Sequence, residues 1–251
     1  MYSILWGVFM QANLQQLMDK GAVWRGGEWK NGGQNSGQHG ASQFSAAEYA
    51  STGQPLLDQA LGGGWRCQRV HELQCEYAFS GELSLLAPAI MAAASAARPV
   101  FWLAPPALPY APAISGMLQQ ADVTNAENAQ HIVLTPASEA DTLWAAETIL
   151  HSGQVGVLLL WADSLSTTAV RRLHLAAAET DAWVFVLTGI QNEEARSYAT
   201  RLRILLTPDK THAMAASVPR GQVQWQILKR HGGWPIRLPR QPLPRWPSLI
   251  I

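Results

Sequence analysis

The sequence predicts an α/β fold in which a mostly parallel sheet is covered by helices, with antiparallel edge strands near the C-terminus. Three observations carry the fold class. Short apolar runs alternate with helical segments of roughly 10–15 residues, the pattern of βαβ units. Residues 155–161 are apolar without interruption, as a parallel strand buried on both faces requires. Two late strand-like runs, 202–206 and 223–229, follow one another with no helical pattern between them, so they pair antiparallel.

Length and composition agree with this. The chain has 251 residues, 48% apolar and 14% charged, enough to bury a core without disulfides or a metal and too apolar to be largely disordered. Its 18 basic and 18 acidic residues cancel, which argues against a wholesale polyanion binder. The cancellation hides a dipole: residues 196–251 carry a net +9 and residues 1–195 a net −9.

Taken in order, residues 11–20 place Leu14, Leu17 and Met18 at i, i+3 and i+4, the stripe of a short amphipathic helix. Residues 26–40 are rich in Gly, Asn, Gln and Ser, a flexible linker. Residues 1–50 are thus a tethered helix and its linker, with Met1 and Met10 both candidate starts. The segment 1–10 lacks a basic n-region and a cleavage site, and no run reaches the ~18 apolar residues of a membrane span. The expected location is cytoplasmic. Cys67 and Cys75 fit no zinc spacing and read as buried small hydrophobes in a reducing compartment.

The compact domain is expected over 51–233. Pro55 suits a first helical position, with Gly62, Gly63 and Gly64 ending that helix. Strands are expected at 70–73, 100–103 (broken by Pro105 and Pro106), 132–134, 155–161 and 183–187. Helices are expected at 84–97, with Pro88 near its first turn, at 139–150, capped near Ser138, and at 167–179. Residues 234–251, basic and Pro-rich, read as an extended tail.

Seven histidines fall singly, with no pair at metal-ligand spacing, and there is no G-x-S-x-G or G-x-G-x-x-G. The informative stretch follows the first strand of the domain, where an NTPase places G-x-x-x-x-G-K-[ST]. Here the residues are Glu76-Tyr77-Ala78-Phe79-Ser80-Gly81-Glu82-Leu83. Gly81 stands at the second glycine, Glu76 at the first, Glu82 at the lysine and Leu83 at the Mg²⁺-holding hydroxyl. Lysine to glutamate is a two-unit charge reversal beside polyphosphate. Ser80 and Gly81 at a helix start could still bind an anion through backbone N–H groups, but Glu76 and Glu82 flank them, and a tight turn is the simpler reading.

The segments around Leu57-Asp58, His71-Glu72-Leu73, Phe101-Trp102-Leu103, Gly156-Val157-Leu158, Val184-Phe185-Val186, Tyr198 to Arg203 and Val223 to Arg230 resemble, in this order, the RecA recombinase core over roughly residues 51–235. Val23-Trp24-Arg25-Gly26, Trp102 to Pro106 with Pro109-Tyr110-Ala111-Pro112, Leu143-Trp144-Ala145-Ala146-Glu147, and Ile227 to Arg230 with Gly232-Gly233 resemble the ImuA family. ImuA proteins are RecA-like accessory proteins of bacterial translesion DNA synthesis. The resemblance implies a non-catalytic adaptor of the SOS response that recruits ImuB, an inactive Y-family polymerase homologue, and an error-prone replicative-type polymerase, with RecA as a further candidate partner. It also implies loss of ATP chemistry. The catalytic glutamate after the second strand falls near Pro105, and the acid ending the third strand falls at Trp161, with Asp163 two residues late unless the strand bulges. The loop between Leu187 and Tyr198 is much shorter than the DNA-contacting loop of RecA. The division inhibitor SulA is similar over the middle of the chain only; its alternative implication is binding of FtsZ.

No cofactor and no metal are expected. Arg201, Arg203, Arg220, Lys229, Arg230, Arg237, Arg240 and Arg245, interleaved with Trp225, Trp234 and Trp246, read as a partner-binding segment, because Arg and Trp anchor interfaces and a Pro-rich chain loses little entropy on docking. Direct phosphate contact with DNA is the weaker alternative, and would be strongly salt-dependent. Leu14 and Leu17 on the tethered helix serve self-association or partner capture, or else fold back on the domain.

Overall fold

A computed structural model describes residues 48–78, 81–123, 129–191, 196–208 and 221–242. The expected N-terminal helix with Leu14 and Leu17, the glycine linker, Ser80, Arg220, Arg245 and Trp246 lie outside them.

The described chain enters through β1 (Tyr49–Ala50), α1 (Pro55–Leu61) and β2 (Trp65–Arg66), then alternates through β3 (Arg69–Cys75), α2 (Glu82–Ser95), β4 (Val100–Leu103), α3 (Ala111–Gln120), β5 (His131–Leu134), α4 (Glu139–His151), β6 (Val157–Trp161), α5 (Thr167–Ala178), β7 (Trp183–Thr188) and β8 (Thr200–Pro208). It finishes with β9 (Gly221–Lys229), β10 (Ile236–Arg237) and β11 (Gln241–Pro242). The strands β3 to β11 form one sheet in the order β10-β9-β8-β3-β7-β6-β4-β5, with β11 also on β9. From β8 to β5 every pairing is parallel, whereas β9 runs antiparallel to β8, β10 and β11.

Alternation along the strands sorts the core into two layers. On one face Leu73, Phe185, Leu202, Trp225 and Ile227 meet α1, α2 and α3 through Leu57, Leu86, Ile90 and Met117. On the other, Val70, Leu158, Leu160, Val184 and Val186 meet α4 and α5 through Ala146, Leu150, Val170 and Leu173. Helices on both faces explain the unbroken apolar runs of β6 and β7.

Local chemistry sets the element ends. Ser138 and Ser166 cap α4 and α5, their hydroxyls accepting from the Asp141 and Ala169 amides at 3.1 Å. Helix α2 starts two residues earlier than expected, so Pro88 sits in its second turn rather than its first, where it removes one helical hydrogen bond. The Leu85 carbonyl also accepts from the Trp65 indole, 2.8 Å, which fastens the helix to β2. Gly64, at φ 110°, lies so close to β1 that a Cβ there would sit 2.2 Å from the Ala50 carbonyl oxygen.

The sequence reading missed α3, β1, β2, β10 and β11. Helix α3 opens on an Ala-Pro pair just after a proline-rich turn and has little periodicity to show before Met117 and Leu118. From Trp234 to Pro242 the Pro-rich segment is not the free tail expected, and residues 243–251 lie outside the described residues. Ile236 and Arg237 pair with Ile227 and Gln226, and Gln241 and Pro242 with Val223 and Gln222, while Leu238 is buried. No helix among the described residues is long and apolar enough to cross a membrane.

Two predictions follow from this packing. Gly64→Ala combines a disfavoured φ with a backbone clash and should cost about 2 kcal/mol or more, read as a lowered urea midpoint. His71 is fully buried against Trp65 and Phe185, and its Nε2–H donates to the Arg66 carbonyl at 2.8 Å. Burial holds its pKa down at about 4. Below about pH 6.5 the unfolded chain takes up a proton that the fold refuses, so stability is full above that pH and falls as pH drops towards 4. The loss should reach roughly 3 kcal/mol, and His71→Phe should flatten this part of the pH profile.

Candidate functional site

In a parallel α/β sheet, ligands bind in the crevice beyond the carboxyl ends of the strands. Here that crevice is a cleft of about 520 Å³ at the ends of β3, β4, β6 and β7. Cys75 and Glu76 come from the end of β3, Glu82 from the start of α2, Ala104 and Pro106 from the turn after β4, and Ser138, Glu139 and Thr142 from α4 and its cap. Trp161 and Asp163 come from the end of β6, and Thr188 from the end of β7.

The strand–loop–helix unit expected to carry the degenerate phosphate loop is present as β3, the turn to Gly81, and α2. Gly81 has φ 93° and starts the helix without a side-chain cap, a conformation that favours glycine. Glu82 is the first helical residue, is 1% exposed, and faces the cleft. A helix N-terminus carries partial positive charge and attracts anions; here the chain's own carboxylate is placed in that first turn. Burial, and then the negative charge of Glu82, push the Cys75 thiol well above its ordinary pKa. Leu83, in the position of the metal-holding hydroxyl, packs instead against the core. Glu76 is exposed at the rim.

The remaining positions follow the same trend. After β4 the cleft is lined by Ala104 and Pro106, neither of which carries a proton-accepting group. Strand β6 pairs with β7 in unbroken register to Trp161 opposite Leu187. It does not bulge, so Asp163 stays beyond the strand, though it reaches the cleft rim. Trp161 stacks on Trp102 with ring centroids 6.0 Å apart and planes 14° apart. Glu139 and Thr188 were not singled out from sequence; the only available signal was their place at a helix start and a strand end.

The basic segment divides. Arg201 is 5% exposed and donates its Nε–H to Glu72 Oε2 at 2.5 Å, and Arg196 Nη1 lies 3.9 Å from Glu72 Oε1. Burial, and then the Glu72 charge, push the neighbouring Tyr198 hydroxyl above its usual pKa. Arg203 donates to Gln74 Oε1 at 3.1 Å and to the Gln191 carbonyl at 2.9 Å. Lys229 donates to the Arg196 carbonyl at 3.0 Å. Arg230 donates to the carbonyls of Trp234 (3.0 Å) and Ala60. Trp225 is 1% exposed in the core.

The expectation that Arg201 and Trp225 form a docking surface is therefore corrected. Both lie on strands paired on both sides and serve the fold, while Arg203, Lys229 and Arg230 hold protein carbonyls or amides. Trp234, Arg237 and Arg240 remain exposed.

The chain matches no family model, and no curated protein matches it. Removing the Glu72 carboxylate takes the closest ion-pair partner from the buried Arg201: Glu72→Ala should cost about 3–5 kcal/mol, whereas Arg240→Ala should stay within about 0.5 kcal/mol. Urea unfolding of the two variants checks the contrast.

Proposed function

We propose that this chain is a non-catalytic accessory protein with a RecA-like core, acting as an adaptor in SOS-induced translesion DNA synthesis, as the resemblance to the ImuA family implies. The observation that carries the reading is the order β3, connection, α2: it matches the strand–loop–helix order of a phosphate-loop unit, with a buried glutamate where the lysine would stand. Pro106 and Ala104 after β4 and the unbulged end of β6 support it, because they put no carboxylate at the two strand ends where ATP chemistry needs one. Among the described residues such a core offers no cation to a triphosphate at the cleft, and it retains its surfaces for protein contacts.

The recruitment surface is drawn to the exposed remainder of the basic segment. Trp234 is 86% exposed and neighbours Arg237 and Arg240 on a strand-paired, pre-ordered stretch, and ordered aromatic and arginine anchors lose little entropy on binding. The partners are an ImuB-like polymerase homologue and an error-prone replicative-type polymerase.

The test combines genetics with capture of a named partner. Deletion of the gene should lower damage-induced mutagenesis. The full chain should retain the ImuB-like protein from damaged cells, and a Trp234→Ala/Arg237→Glu/Arg240→Glu variant that still folds should lose it. ATP turnover should stay at background. Unchanged mutagenesis on deletion, together with filamentation on overexpression, would replace this reading with FtsZ binding.

A further inference from the structure

We propose that the acidic cleft at the strand ends receives an arginine side chain, supplied by the basic C-terminal segment of a second copy of this chain. The inference rests on the cleft's own side chains and holds whatever pathway the protein serves. Glu76, Glu82, Glu139 and Asp163 all line the cleft, and among the described residues no Lys, Arg or His does. A phosphate group would meet four carboxylates there, whereas a cation is drawn in. A bare metal ion fits poorly, because no group of three or more His, Cys, Asp or Glu among the described residues is arranged to hold one.

Independent of the carboxylates, two polar groups at the cleft lack partners. Thr188 is 5% exposed and its Oγ1 makes no hydrogen bond; a hydroxyl oxygen accepts readily from an N–H donor. The Trp161 Nε1–H is likewise buried and unbonded, and an indole N–H can only donate. An arginine within a polypeptide answers both needs. Its guanidinium offers five N–H donors to carboxylates and hydroxyl, and it stacks on aromatic rings better than ammonium does. Its peptide backbone brings a carbonyl for the indole, which a free inorganic cation lacks. The cleft volume suits a side chain with its flanking peptide.

Charge complementarity identifies the source. Most of the described basic residues after 195 are engaged within the fold, but Arg237 and Arg240 are exposed at the paired C-terminal strands and carry the charge opposite to the four acids of the cleft. Two copies can therefore satisfy head to tail what each leaves open.

The first experiment titrates Nα-acetyl-arginine amide into the full chain and follows the Trp161 indole N–H resonance, assigned with Trp161→Phe. A saturable downfield shift is expected, and a Glu139→Gln/Asp163→Asn variant should bind at least tenfold more weakly. Both positions are exposed, so the variant should fold, with circular dichroism as the check. Absence of a saturable shift, or an equal shift in the variant, overturns the site. The second is sedimentation velocity across concentration: salt-sensitive self-association, reduced in the same variant and in Arg237→Ala/Arg240→Ala, is expected. A chain that remains monomeric throughout overturns the assignment to a second copy.

Discussion

A carboxylate in the middle of a sheet cannot stay charged without a cation beside it, and the architecture of this protein turns on that requirement at Glu72. Strand β3 is flanked by β7 and β8, and Glu72 is wholly buried. The Arg201 guanidinium from β8 answers it directly and Arg196 reinforces it. The pair holds β8 in register against β3, and β8 in turn supports the antiparallel β9. Breaking such a pair costs far more than its net contribution to stability, because the surviving charge stays buried. The side chains that sequence alone would assign to a partner are thereby committed within the fold.

The same logic, with the sign reversed, operates at the strand ends. A helix start is the natural place for an anion, and α2 fills its own with Glu82. The other acids stand at the rim, each on a different element, so the cleft's negative potential is a property of the assembled sheet and of no single motif. This is why a local loop pattern suggests only what has been lost, and the fold is needed to see what has been gained.

Legibility in the sequence tracked burial. Strands β4, β6 and β7 have unbroken apolar runs, helices α4 and α5 have regular helical segments between them, and α4 shows its serine cap, so hydrophobic pattern with one cap sufficed to place them within a residue or two. Strands of two residues, such as β10 and β11, have no period to detect; they exist because β9 offers an edge. Helix α3 was hidden by the prolines before it. At the candidate site, Glu76, Gly81 and Glu82 were readable from the strand–loop–helix order. Glu139 and Thr188 were not, since the start of α4 and the end of β7 meet at the cleft only once the sheet is assembled. Arg201 and Trp225 misled for a plain reason: an arginine or tryptophan in a basic stretch looks the same whether it faces water or a buried carboxylate.

The short strands β10 and β11 have a consequence for how sheets of separate molecules could join. Between them they occupy the outer side of β9 at Gln222, Val223, Gln226 and Ile227, so that margin has few backbone groups left to offer. The opposite margin, β5, has four residues and no outer neighbour among those described. Growth by strand addition needs two open margins on every molecule. A margin presented only as two-residue strands is a poor template for an added strand, so joining through the sheet favours the β5 margin and a two-fold pair over a lengthening fibre.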